Sequence, residues 1–463
     1  MNQETICAIA TAQGGAIGTI RVSGPKAIAI TEAIFTPAKK GVVFSQSAPY
    51  SLTFGTINNK EELIDEVLVA LFKGPKSYTG EDSTEITCHG SSYILQKVLQ
   101  LLLEKGCRLA QPGEFTQRAF LNGKMDLSQA EAVADLIAAT SASTHRLAMS
   151  QMRGGFSSEL RKLRDQLIHF TSLIELELDF SEEDVEFANR DELNELANGI
   201  EKVIKKLAQS FNVGNVIKNG VPVAIIGETN AGKSTLLNLL LKEEKAIVSN
   251  IHGTTRDVIE DVTNIEGISF RFIDTAGIRE TNDAIETIGI ERTFQKLDQA
   301  EIVLWVVDAP YTERQVKELS PKLLPMCKEK QLILLINKSD LLSTEERDNI
   351  TKLLQEKELT KHLFISAKEA TGEEELEHLL VESANLPSVT QNDVIVTNVR
   401  HYEALTHALE AIQRVQNGLT MDLSGDFLSQ DIRECIFHLN DIVGEVTTDM
   451  VLHNIFKNFC IGK

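Results

Sequence analysis

The chain has 463 residues, a net charge of −21 and 42% hydrophobic and 24% charged residues. The length is about three times the ~150 residues typical of one domain, so several domains are expected, and the composition excludes wholesale disorder and collagen-like repeats. So acidic a surface repels phosphate backbones, and nucleic-acid binding would need a local basic patch or a basic partner.

Residues 1–120 mix short β-branched runs with turn signals. Ile6–Ala10, Ala16–Val22 and Val67–Phe72 read as strands, separated by Gly14-Gly15, Ser23-Gly24-Pro25 and Gly74-Pro75. From Leu127 to Leu207 there is no proline and the apolar spacing becomes helical. Leu160, Leu163, Leu167, Phe170 and Ile174 form one stripe, and Leu193, Leu196, Ile200, Val203 and Leu207 a second. The acidic turn Ser181-Glu182-Glu183-Asp184 separates them. After Gly220-Val221-Pro222 strands alternate with amphipathic helices; Val223–Ile226, Phe270–Asp274, Ile302–Val307, Leu332–Asn337 and Leu363–Ser366 are the strand candidates. That rhythm predicts βαβ units on a mainly parallel sheet. It stops at Leu386-Pro387, and a second helix-rich stretch follows.

Gly227-Glu228-Thr229-Asn230-Ala231-Gly232-Lys233-Ser234, followed by Thr235, matches the phosphate-binding loop between a strand and a helix. Its glycines let backbone N–H groups converge on phosphate oxygens at a helix N-terminus, Lys233 reaches the β/γ-phosphates and Ser234 can ligate Mg²⁺. Asp274-Thr275-Ala276-Gly277 places a carboxylate for Mg²⁺ and a glycine amide for the γ-phosphate. In Asn337-Lys338-Ser339-Asp340, a carboxylate can accept from N1–H and the 2-amino group of guanine; adenine offers neither and would leave it buried and unpaired. Ser366-Ala367 fits a turn binding guanine O6. Gly253-Thr254-Thr255-Arg256-Asp257 lies where GTPases place switch I, with a Thr hydroxyl to complete the Mg²⁺ shell. Ile278 stands where Ras-like proteins carry a water-orienting Gln, and Glu286 is a candidate for that task. Together these define a GTPase domain.

The expected fold is multi-domain: an N-terminal α+β domain over 1–120, an all-α domain in two parts, 121–217 and 385–463, and between them a Ras-like P-loop GTPase domain over 218–384. Residues outside the GTPase motifs extend the reading. Gly80-Glu81-Asp82, His89-Gly90, the run Arg108 to Thr116, Asn122-Gly123-Lys124-Met125-Asp126-Leu127 and the terminal Phe459-Cys460-Ile461-Gly462-Lys463 make the whole chain resemble the MnmE (TrmE) family of tRNA modification GTPases. The resemblance implies a homodimer whose N-terminal domains bind a tetrahydrofolate derivative, 5-formyl- or methylene-tetrahydrofolate. It also implies an FAD-dependent MnmG-like partner, in a heterotetramer that places an aminomethyl or carboxymethylaminomethyl group on C5 of the wobble uridine of certain tRNAs. The GTP site would extend over Ser249, Asn250, Ile251, His252, Gly253, Thr254 and Thr255. By the same resemblance Mg²⁺ falls to Ser234 and Thr255, K⁺ to Asn230, Ser249, Ile251 and Thr254, and water orientation to Glu286. Arg21, Glu85, Lys124 and Lys463 carry the folate, and Cys460 is tied to the modification chemistry. A carboxylate suits the pterin N–H edge and cations suit the glutamyl tail. Two other readings remain in view: a regulatory RNA-binding GTPase switch in ribosome assembly, and a folate-dependent C1-transfer enzyme with a regulatory GTPase attached.

The six cysteines, at 7, 88, 107, 327, 435 and 460, are too dispersed for a disulfide framework. No apolar run approaches the ~20 residues that span a bilayer, and the N-terminus lacks a basic segment ahead of an apolar core. A cytoplasmic, reduced protein without membrane contact is expected. Cys435, His438, His453 and Cys460 lack zinc spacing, Gly14–Gly18 lacks the dinucleotide fingerprint, and Arg146, Arg153, Arg161, Lys162 and Arg164 form the best basic stretch, with a solvated helical face as its default reading.

Overall fold

The structure, a computed structural model, describes residues 4–12, 14–59, 62–179, 190–241, 261–273, 297–357, 359–386, 393–421, 423–446, 448–457 and 459–462. The chain divides into two compact units. One comprises residues 1–138, 148–205 and 403–463, the other residues 139–147 and 206–402. The nucleotide-type unit thus interrupts the other in sequence.

The first unit opens with a sheet of β1 (Ile6–Ile9), β2 (Ile17–Ser23), β3 (Phe35–Pro37), β4 (Ser51–Asn59), β5 (Glu62–Phe72), β6 (Ser83–His89) and β7 (Arg108–Leu109), in the order β3-β4-β5-β6-β2-β1-β7. Every pairing is antiparallel except β1 with β7. Strand alternation decides the faces. Val67, Val69 and Leu71 of β5 turn inward with Ile86 and Cys88 of β6 and Ile20 and Val22 of β2, where helix Ser92–Glu104 covers them through Leu95, Val98, Leu101 and Leu102. The sequence pattern finds β1, β2 and the core of β5 and misses β4 and β6, whose Ser/Thr-rich runs lack a continuous apolar signal.

The helices of this unit follow the expected stripes, with one correction. Leu160, Leu163, Leu167, Phe170 and Ile174 of helix Gly155–Asp179 are all buried. In helix Arg190–Asn219 the buried line runs Leu193, Ala197, Ile200, Ile204 and Leu207, while Leu196 and Val203 sit at its margin. A small alanine and a β-branched isoleucine fill the seam, and size alone does not reveal which of two adjacent apolar positions faces inward. Near the C-terminus Leu452 and Phe456 pack on Leu127 and Ala130. The basic stretch is partnered by acids: Lys162 with Glu159, Arg164 with Glu445, Arg161 with Asp126.

The second unit is built on β8 (Val221–Ile226), β9 (Asp261–Ile265), β10 (Ile268–Phe272), β11 (Ile302–Asp308), β12 (Gln331–Asn337) and β13 (His362–Phe364), in the order β13-β12-β11-β8-β10-β9. All pairings are parallel save the β9–β10 hairpin. Alternate residues feed two cores. Val223, Ile225, Leu304, Val306, Ile333 and Leu335 meet helices Lys233–Leu241 and Glu373–Ala384. On the opposite face Ala224, Ile226, Val303, Trp305, Leu334 and Ile336 meet residues of helices Thr312–Met326 and Thr344–Glu356. Helices on both faces leave the carboxyl ends of the strands as the place for a ligand, the general rule for open α/β sheets.

Candidate nucleotide site and a second polar site

The loop after β8 is shaped by two close approaches. Gly227 has φ +151°, and a Cβ there would lie 2.2 Å from the Val306 carbonyl oxygen of β11. Gly232 has φ +95°, and a Cβ there would lie 2.1 Å from Asn337 Nδ2. Only glycine fits either place. Asn230 at the crest also takes a left-handed φ of +65°, a conformation asparagine tolerates. Lys233 folds over the loop and donates to the carbonyls of Gly227 at 2.8 Å and Glu228 at 2.7 Å. It and Ser234 open helix Lys233–Leu241, whose N-terminal dipole favours an anion.

Asn337, at the end of β12, ties three loops together. Its Nδ2 donates to the Ala231 carbonyl at 2.8 Å, and its Oδ1 accepts from the Ala367 N–H at 3.0 Å. The residue is buried, so both bonds form in a low-dielectric setting. Asp340 accepts from Ser366 Oγ at 2.6 Å, which brings the Asn337–Asp340 and Ser366–Ala367 segments face to face. That hydroxyl hydrogen bond, ahead of the smaller influence of Lys368 and Lys338, holds the Asp340 carboxyl below its ordinary range. Asp340 is exposed, a departure from the buried carboxylate expected from sequence.

A second polar site lies on the first unit's sheet. Arg21 of β2 and Glu85 of β6 are direct cross-strand partners. The guanidinium reaches Glu85 through Nε and Nη2, each at 2.8 Å, lies over the Tyr78 and Phe115 rings, and donates from Nη1 to the Gly462 carbonyl at 3.3 Å. The tail is seated closely: a Cβ on Gly462 would fall 2.5 Å from the Ile9 carbonyl oxygen. Cys460 is exposed, and its carbonyl accepts from the Gly113 N–H. Lys124 donates to the Pro75 carbonyl at 2.9 Å, in the loop that carries Tyr78.

Beside it lies a network that sequence reasoning did not assign. Arg118, almost fully buried, meets Glu81 at 3.2 Å, Glu114 at 2.9 Å and the Glu4 carbonyl at 2.9 Å. Arg108 closes the circuit on Glu114 at 2.6 Å. Burial opposes ionisation of Glu114, but Arg108, the Gln111 N–H and Arg118 outweigh it and hold the carboxyl below its usual range. The only sequence signal was the presence of Glu81, Arg108 and Glu114 in motif runs, because their partners come from separate segments.

Of the residues expected at the nucleotide site, the structure gathers Gly227–Thr235, Asn337, Lys338, Asp340, Ser366 and Ala367 at the carboxyl edge of one sheet. Ser249, Asn250, Ile251, His252, Gly253, Thr254, Thr255, Asp274, Thr275, Ala276, Gly277, Ile278, Glu286 and Lys463 lie outside the described residues. Among the described residues no helix is long and apolar enough to cross a membrane.

A mostly parallel sheet with a glycine-shaped phosphate loop and a guanine-type Asn-Lys-Ser-Asp loop at one edge places the chain among the P-loop GTPases, hydrolases of GTP. The model of the GTP-binding protein TrmE N-terminus matches residues 5–124, and that of the MnmE helical domain matches residues 127–460. Proteins named tRNA modification GTPase MnmE from Bacteroides thetaiotaomicron, Bacteroides fragilis and Flavobacterium johnsoniae are 72%, 71% and 53% identical, each alignment covering 100% of both chains. The chain belongs to the MnmE (TrmE) family of tRNA modification GTPases.

Proposed function

We propose that this chain is the GTP-hydrolysing subunit of a homodimeric enzyme that acts on tRNA with an FAD-dependent MnmG-like subunit. The product would be an aminomethyl or carboxymethylaminomethyl group on C5 of the wobble uridine, its carbon drawn from a tetrahydrofolate derivative. The observation that carries the reading is the pairing, in one chain of this family, of a guanine-type nucleotide edge with the Arg21–Glu85 site. Glu85 offers a carboxylate to the adjacent N–H groups of a pterin, the partly exposed Tyr78 ring offers a flat apolar wall, and Lys124 and Lys463 would serve an anionic tail. Homodimerisation is supported by the uncovered sheet face, where Phe54 and Leu68 stand directly opposite each other beside Leu52, all exposed.

At the nucleotide edge the amides of Gly227–Ser234 and Lys233 would hold the phosphates, Asp340 the guanine N–H groups and the Ser366–Ala367 turn its O6. Ser234, with Thr255 and Asp274, would hold Mg²⁺, which supplies charge neutralisation between the phosphates. Asn230, on the loop crest, would hold K⁺ with Ser249, Ile251 and Thr254, and Glu286 would orient water in place of a Ras-type Gln. Pairing of two GTPase domains would complete that arrangement.

The decisive experiment is wobble-uridine analysis in a deletion strain carrying the wild-type chain or Glu85→Gln, with tetrahydrofolate binding measured on both proteins. The reading expects modified uridine and folate binding from the wild type and loss of both in the variant. Unmodified uridine in the strain carrying the wild type would overturn it. For the cation, GTP turnover in matched KCl and NaCl should differ by at least about tenfold, since a finger-like positive charge is worth ~10³–10⁵ in rate. Equal rates would remove K⁺ from the account.

A further inference from the structure

Lys338 begins the turn after Asn337 with a left-handed φ of +61°. Its ammonium does not run free. It donates to Asp308 Oδ2 at 2.6 Å. Asp308 ends β11 and stands directly opposite Asn337 in the parallel register, so the two strand ends meet at the same rung. The carboxylate is mostly shielded, and its second oxygen has no hydrogen-bond partner.

The Asp308 backbone is fixed in turn. Its N–H donates to Gln315 Oε1 at 3.0 Å, and Gln315 Nε2 donates to Glu228 Oε2 at 2.7 Å. Gln315 is buried on helix Thr312–Met326, and Arg314, one residue before it, also donates to Glu228 at 2.9 Å. Glu228 is the second residue of the phosphate loop. One buried amide therefore bridges the strand end that anchors Lys338 and the loop that cradles phosphate.

On the nucleotide-site reading given above, we propose that Asp308 is a positioning residue for the guanine nucleotide: it holds the Lys338 ammonium at the turn that carries Asp340, and Gln315 locks that arrangement to the phosphate loop through Glu228. The physical gain is pre-organisation. A free lysine loses rotamer freedom when fixed, and a lysine already held by a shielded carboxylate has lost it before the nucleotide arrives. Lys338 carries donors and no acceptor, so it cannot read the N1–H and 2-amino group that Asp340 would accept. The contribution is therefore to affinity for any nucleotide with this bicyclic base, distinct from Asp340, which selects guanine. Because Lys338 touches neither the γ-phosphate nor the attacking water in this arrangement, the chemical step is unaffected.

The test is Asp308→Asn in the full chain, read by equilibrium binding of a fluorescent GDP analogue and by steady-state GTP hydrolysis. A lost charge-assisted hydrogen bond corresponds to about a tenfold weaker Kd, with KM raised alike and kcat within about twofold. Asp308→Glu should recover part of the affinity. In a Lys338→Ala background Asp308→Asn should have no further effect, because the carboxylate then has nothing to hold. An unchanged Kd in Asp308→Asn would overturn the proposal. So would an equal loss of affinity with and without Lys338, or a fall in kcat that matches the rise in KM.

Discussion

The two polar sites of this chain are built on opposite plans. The nucleotide edge rests on the backbone: glycines at 227 and 232 are forced by approaches of 2.2 and 2.1 Å, and one asparagine amide spans the phosphate loop and the Ser366–Ala367 turn. The Arg21–Glu85 site rests on side chains drawn from far apart, a cross-strand pair closed by a carbonyl of the C-terminal tail. A backbone cradle needs particular residues at fixed neighbouring positions, so it tolerates little change and reads as a contiguous motif. A site assembled from separate strands and a terminus leaves no local pattern. Its geometry depends on the whole unit folding, and especially on the ion network of Glu81, Arg108, Glu114 and Arg118 next to it.

The sharpest break in that comparison is Lys233→Ala. It removes the cation proposed to hold the phosphates without touching a core, so GTP turnover should fall by at least about a hundredfold, in line with losing one pre-organised charge donor. The melting temperature should stay within a few degrees. Normal turnover, measured as phosphate release, would show that the loop is not a phosphate cradle.

Asn337→Ala comes next. It leaves the Ala231 carbonyl and the Ala367 N–H without their partner, a penalty of about 1–3 kcal/mol for each buried group. Guanine-nucleotide affinity should drop by roughly ten- to a hundredfold, because the turn that faces Asp340 loses its anchor. Fluorescence titration checks it, and the second site should keep its properties.

Glu114→Gln probes the other region. Removing a charge from between two arginines, one of them deeply buried, should destabilise the first unit by about 3 kcal/mol at neutral pH. A carboxyl with a depressed folded-state pKa contributes stability that is present above its unfolded value of ~4.3 and is lost as pH falls through the folded value. The gap between wild type and variant in thermal melts should therefore narrow below about pH 4, and a gap independent of pH would contradict the network's role.

The smallest effect is chemical. Cys435 is buried in helix Gly425–Val443 and its thiol is pushed up to about 12 by that burial, whereas Cys460 lies exposed on the tail. Brief alkylation of the native protein should label Cys460 and spare Cys435, as peptide mass mapping would show.

The same contrast explains how much of the molecule is legible in its sequence. The nucleotide loops were legible because their chemistry is local, and the parallel sheet because its strands are apolar on both faces. Edge strand β9, with the polar sequence Asp261–Ile265, and the Ser/Thr-rich β4 and β6 carry no such signal. The helical seam through Ala197 and Ile204 shifted one residue from the expected Leu196 and Val203, since packing rather than size chose the inward side. The grip of Asp308 on Lys338 had no sequence signature, because a single aspartate ending a strand is indistinguishable from a turn residue until the parallel register sets it beside Asn337.

The guanine selectivity proposed for the edge formed by β8, β12 and the turns after them can be measured as hydrolysis of GTP, ATP and xanthosine triphosphate by the wild type and by Asp340→Asn. The Asp340 carboxylate is the proposed discriminator: a base that cannot donate to it would leave it unpaired, a difference of about 10⁴–10⁵ where such polar rejection operates. The wild type should hydrolyse GTP and neither of the others, and Asp340→Asn should exchange GTP for xanthosine triphosphate. Equal hydrolysis of GTP and ATP by the wild type, or an unchanged preference in the variant, would contradict the account.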